Sequence, residues 1–140
     1  MNLTILVRHA CLTLLIGLGL AGSQLRGDTS SAAVAVTDDG VQRVTLVGGS
    51  YYFEPERIVV RAGVPVELQV RRRPGLAPHN LVIRSSTMGL DIEASLDTEP
   101  TTIRFTPRVA GRVEFYCDKR LLFLPSHRER GMVGVLEVIE

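Results

Sequence analysis

Cysteine is scarce in this chain: two residues in 140, Cys11 and Cys117. Cys11 lies in an N-terminal apolar stretch, Ala10 to Ala21, which follows Arg8 and His9 and ends at the small residues Ala21-Gly22-Ser23. That is the layout of a secretory signal, and the stretch is shorter than the roughly 20 apolar residues of a spanning helix. Residues 1–23 are therefore expected to be a signal peptide, with no integral membrane span left after its removal. A chain so processed keeps one thiol, which excludes an internal disulfide in a compartment where disulfides are the usual fate of cysteine. Such a thiol must be buried or held by a metal.

Net charge is also nearly missing. The formal balance is +1, and the basic residues are almost all arginine, with Lys119 the single lysine. This balance argues against nucleic acid or an anionic membrane as a partner. Sequence repeats are absent, and no ten-residue helical period appears after residue 23. Catalytic motifs are wanting too: Ser126-His127 has no orienting acid in a recognisable pattern, and neither a phosphate-cradling loop nor a zinc-protease signature occurs. The chain reads as a non-enzymatic protein of one domain, since 140 residues bury one core well and two poorly.

What is present is a series of short apolar or alternating runs punctuated by glycine and proline. Residues 24–40 are rich in Ser, Ala, Thr, Asp and Gly and read as a flexible leader, so the domain is expected over 41–140. Val41 to Val47 forms a first strand. Ile58 and Val60, then Val66, Leu68 and Val70, alternate with polar residues in the period of a strand with one wet face. Leu81-Val82-Ile83 is apolar on both faces, as in an interior strand. Residues 84–100 read as a long connection with room for a helical turn. Ile103 and Phe105 mark another strand; Val113, Phe115 and Cys117 share a face of the next, and Val133 to Ile139 closes the domain. Seven or eight such strands over about 100 residues predict an all-β protein, a Greek-key β-sandwich.

The chemistry-bearing residues fall near one stretch. Cys117 ends a strand, and His127 and Met132 follow in the loop before the closing strand. His79, beside Asn80, lies far upstream. Singly, a cysteine reads as a small core hydrophobe and a methionine as a gap-filler, as Met88 does. Together, two imidazoles, one thiol and a thioether form the ligand list of an electron-transfer copper site. Cys117 shares its strand face with Val113 and Phe115, which aims the sulfur into the end of an apolar core. His79, on another strand, is expected to meet it across the sandwich.

These residues resemble the cupredoxins, the small blue copper proteins. His79-Asn80, Cys117 and the His127-x4-Met132 spacing carry the resemblance. Phe53 to Gly63 is also similar to the early strands of exported cupredoxin-like domains. The resemblance implies a β-sandwich holding one copper per chain through His79, Cys117 and His127, with Met132 axial. It further implies that Asn80 ties its loop to Asp118. The implied role is a periplasmic or otherwise exported one-electron carrier with a redox partner protein. Copper capture and delivery, or a small copper enzyme with an open coordination position, are the alternatives. One feature departs from the family: nine residues separate Cys117 from His127, where blue copper proteins usually have two to four. So long a loop leaves Asp118 or Glu129 open as replacements for Met132. Its run Leu121-Leu122-Phe123-Leu124, between charged flanks, is either a docking surface or a lid packed on the sandwich.

Overall fold

The computed structural model describes residues 30–140; the expected signal segment and the first part of the leader lie outside the described residues. Ten strands occur: β1 (Ser31–Ala33), β2 (Gln42–Gly48), β3 (Phe53–Glu54), β4 (Arg57–Arg61), β5 (Val66–Arg72), β6 (His79–Ser85), β7 (Leu90–Leu96), β8 (Thr101–Phe105), β9 (Gly111–Tyr116) and β10 (Val133–Ile139). They form a six-stranded sheet in the order β1-β4-β10-β9-β6-β7 and a four-stranded sheet in the order β3-β2-β5-β8. Successive strands change sheets repeatedly, so the two layers are stitched into one all-β sandwich. No helix among the described residues is long and apolar enough to cross a membrane.

Alternation explains the layers. On β5 the buried positions are Val66, Leu68 and Val70; on β10 they are Gly134, Leu136 and Val138. Strand β6, which lies inside its sheet between β9 and β7, is buried at every position from His79 to Ile83. Between the sheets, Leu46, Leu68 and Val70 share one core with Ile58, Leu81, Ile83 and Phe115. Phe53 meets Phe115 edge to face, with ring centres 5.3 Å apart. A side chain at Gly134 would collide with Phe115, whose ring lies 2.3 Å from where its Cβ would sit. Glycine is thus what lets β10 lie against the largest buried ring of β9.

Three expectations change. Residues 90–96 are a strand, β7, antiparallel to β6, where a connection was expected. Their apolar members, Leu90, Ile92, Ala94 and Leu96, alternate with Asp91, Glu93 and Ser95, and the acids mask a regular period of two. Residues 31–33, read as leader, pair in parallel with β4 as the edge of the larger sheet. Ser-Ala-Ala has no hydrophobic signature, and its place comes from backbone pairing together with Val34, which packs on the core. Finally, β6 and β9 are neighbours in one sheet, with Val82 opposite Tyr116 and Ile83 opposite Phe115. His79 and Cys117 therefore approach along a strand pair, not across the sandwich.

Candidate metal centre

Extending the β6–β9 register beyond its last pair sets Asn80 against Asp118 and Leu81 against Cys117. Side chains complete what the backbone ladder leaves open there. Asn80 donates through Nδ2 to Asp118 Oδ1 at 2.9 Å, and its own Oδ1 accepts from the Asp118 N–H at 3.1 Å. The Asn80 N–H points at Cys117 Sγ, 3.4 Å away. On the other side the Cys117 N–H donates to the Met132 carbonyl at 3.1 Å, lengthening the β9–β10 ladder by one pair. Cys117 is thus held from both neighbouring strands and is fully buried.

His127 arrives on a loop. Its N–H donates to the Lys119 carbonyl at 2.8 Å, and its carbonyl accepts from the Met132 N–H at 2.9 Å. Both bonds are local, so the loop is closed on itself at its base. Residues 127–131 make one tight turn ended by Gly131, whose φ of +94° suits glycine alone. The edge of the Tyr51 ring packs on the imidazole, with centres 5.2 Å apart, and Arg130 donates to the Tyr51 hydroxyl at 2.6 Å.

Three of the four expected ligands converge. His79 Nδ1 and His127 Nδ1 stand 3.0 Å apart; Cys117 Sγ is 3.4 Å from the second and 3.9 Å from the first. His79, Cys117 and His127 are all buried, and they are the only such His/Cys/Asp/Glu group among the described residues. A point equidistant from these three atoms lies about 2.0 Å from each, the length of a bond between a first-row metal ion and imidazole. Two Nδ1 atoms so close cannot both carry protons. Burial lowers the affinity of both imidazoles for a second proton, assisted by His127 and Arg72 at His79 and by Arg130 at His127. Burial likewise pushes the Cys117 thiol up, against the pull of the Asn80 and Lys119 amides. Two neutral imidazoles and a neutral thiol, aimed at one point, are a donor set that a soft metal ion completes.

Met132 is fully buried at the end of the same loop, tied by its backbone to Cys117 and His127. Its methyl faces Gly48 on β2, where an added Cβ would stand 3.2 Å from it. Each acidic alternative already has one carboxylate oxygen engaged elsewhere. Asp118 is engaged by Asn80, and Glu129 accepts from the Ser126 N–H and Oγ at 2.6 and 2.7 Å. Those bonds hold the Glu129 carboxyl below the usual range. Glu129, expected only as a replacement for Met132, bonds Ser126 instead, and Ser-x-x-Glu is a legible turn-starting signal.

The run 121–124 does not pack onto the sandwich. Leu122 is 78% and Phe123 89% exposed, at the tip of a finger whose inner side chains, Leu121 and Leu124, face Leu76 and Pro78 across an apolar groove of about 330 Å³. His127, Tyr51 and Arg130 also line it.

No family model and no curated protein matches the chain. Solved structures do. The metal-binding domain of the Cu(I)-exporting P-type ATPase CopA of Streptococcus pneumoniae D39, solved with Cu(I), is 22% identical, with a TM-score of 0.60 over 81% of this chain and 100% of that one. A copper-binding protein solved in its apo form is 20% identical, with a TM-score of 0.59 over 79% of this chain and 99% of that one. Auracyanin B is 16% identical, with a TM-score of 0.56 over 79% of this chain and 97% of that one. With its two sheets, their strand order and these likenesses, the chain has the cupredoxin-like fold, carrying a buried His-Cys-His cluster at one end of the sandwich.

Proposed function

We propose that the chain would hold one copper ion through His79, Cys117 and His127, with Met132 as a fourth ligand, and pass single electrons as an exported carrier. The observation that carries this reading is the convergence of three buried donor atoms on one point at metal-bond distance. Copper held there supplies the one-electron couple. The residues supply the rest. Cys117 gives up its proton on binding, the two imidazoles are already neutral, and the buried surroundings exclude water from the thiolate. Asn80, locked to Asp118, keeps the strand ends fixed, which suits a site that must reorganise little when its charge changes. The apolar groove over His127 is where a redox partner protein would bring its own centre close.

The test is the absorption and paramagnetic resonance spectrum of the copper-loaded chain. One copper per chain with an intense thiolate-to-copper band is expected. Failure to take up copper under both reducing and oxidising conditions overturns the reading. A second reading is copper capture and delivery. It is favoured by the fold shared with the metal-binding domain of a Cu(I) exporter and with a copper-binding protein. A carrier keeps its ion through repeated reduction and reoxidation; a delivery protein surrenders it to a competing chelator within the same cycles.

A further inference from the structure

Nine residues between two ligands ought to make a loose loop, yet His127 is buried, only 4% exposed. The reason lies in Ser126 and Glu129. The Ser126 N–H donates to Glu129 Oε2 at 2.6 Å, and the Glu129 N–H donates back to Ser126 Oγ at 3.2 Å. This reciprocal pair is a capping box, the device that fixes the first turn of a helix. Here it closes a single turn whose second residue is His127. Ser126 Oγ also donates to the carboxylate at 2.7 Å, and Arg120 approaches the same oxygen at 3.4 Å from the far side of the loop. One carboxylate oxygen therefore gathers both ends of the finger's base. Directly beside it, the His127 N–H bonds the Lys119 carbonyl at 2.8 Å. The finger beyond is tied to the base by nothing comparable: its backbone bond, from the Leu124 N–H to the Leu121 carbonyl at 3.0 Å, is internal.

We infer that Glu129, through Ser126, is the positioning residue for His127, and that the apolar finger 121–125 is an insert the metal centre does not need. The inference rests on the proposed copper site for its purpose, but its geometry belongs to the metal-free chain. The loop is long in sequence and short in mechanics.

Three variants of the full chain test it: Glu129→Ala, Glu129→Gln, and Leu121–Pro125 replaced by one glycine. The first measurement, amide hydrogen exchange in the metal-free protein, compares the His127, Arg130 and Met132 amides with those of β6 and β9. Glu129→Ala is expected to speed exchange at the loop amides roughly five- to tenfold, the equilibrium factor of one lost cap, and to leave the strands unchanged. Glutamine serves in a capping box as glutamate does, so Glu129→Gln should behave as the parent. The glycine replacement should as well, since Lys119 and His127 then close a simple five-residue turn. The second measurement is the rate of Cu(I) release to a chelator, expected to rise in Glu129→Ala alone. Unchanged loop exchange in Glu129→Ala, or equal acceleration on loss of the finger, overturns the inference. A chain that binds no copper yet shows the expected exchange pattern sinks the copper reading and leaves this one standing.

Discussion

The two halves of the candidate metal centre are built by different means. His79 and Cys117 sit on adjacent strands, and their separation follows from the β6–β9 register, locked by Asn80 against Asp118. His127 and Met132 sit on a loop whose position comes from local turns, a capping box and two backbone bonds. The first half draws on long-range pairing and cannot move without the sheet. The second is held mainly by hydrogen bonds within residues 117–132, with Tyr51 on the imidazole and Gly48 beside the Met132 methyl, and its turn can be altered without changing the strand pairing. On the proposed copper reading a strand-held ligand pair and a loop-held one would share an ion, and substitutions should separate the two behaviours.

The largest effect is expected in the strand-borne half. Cys117→Ser should abolish the visible band and tight copper binding. The far-ultraviolet spectrum should remain that of an all-β fold, because the swap is nearly isosteric at a site already lined by polar neighbours. A copper-loaded Cys117→Ser protein that keeps the parent's band would mean that another group supplies the charge transfer.

Next comes Asn80→Ala, which removes both bonds to Asp118 and so leaves the register lock unmade. Asn80 is buried but Asp118 is exposed, so each lost bond is expected to cost roughly 0.5–1.5 kcal/mol, and loss of such support around a metal typically lowers its affinity about 10- to 100-fold. Chemical denaturation and copper titration read the two numbers. If the half-site is held by backbone register alone, stability falls while affinity stays put.

Met132→Leu belongs to the loop-borne half and should do less. Leucine conserves volume well enough that the cost to stability stays below about 1.5 kcal/mol. The copper should remain, with a raised potential or a shifted band. Since Asp118 and Glu129 are already engaged by other groups, an unchanged spectrum and potential would leave the site with three protein ligands and no axial one.

The same contrast accounts for what the sequence disclosed. The sandwich was legible because β2, β4, β5, β9 and β10 alternate cleanly, and the His79, Cys117 and His127 cluster because a chain with so few Cys and His residues has little else to offer. Strand β7 was hidden by its acids and β1 by a lack of any side-chain signal. The side-by-side placement of β6 and β9 is a matter of sheet order, which periodicity does not encode. Local devices are another matter. Ser126-x-x-Glu129 stands in the sequence as a readable turn signal, but with no helical run after it the motif does not by itself say that it closes a single turn at His127.

The smallest structural effect and the most selective functional one should come from the finger. Four apolar residues in a row normally predict burial, yet here Leu122 and Phe123 project into solvent, and Leu122 adopts a φ of +51° at the tip. The backbone turns there at some steric cost with no packing to compensate, so the exposed tip gains nothing in the isolated chain. Changing Leu122 and Phe123 together to Ser should therefore leave stability within about 0.5 kcal/mol of the parent, as surface substitutions do. The copper spectrum should stay the same, because the base of the loop is closed below the tip. What should fall is the rate of electron exchange with a partner protein that docks over the groove at His127, since exposed apolar groups of this kind matter when a partner covers them. Stopped-flow reduction by the partner, set beside reduction by a small inorganic complex that needs no docking, separates the cases. A rate lowered only for the protein partner places docking on the finger. Equal rates for parent and variant with both reductants would confine recognition to the groove, where Leu76, Pro78 and Tyr51 remain. A loss of stability or of the band would show that the finger braces the site after all, and that its two halves are less separate than their hydrogen bonds make them.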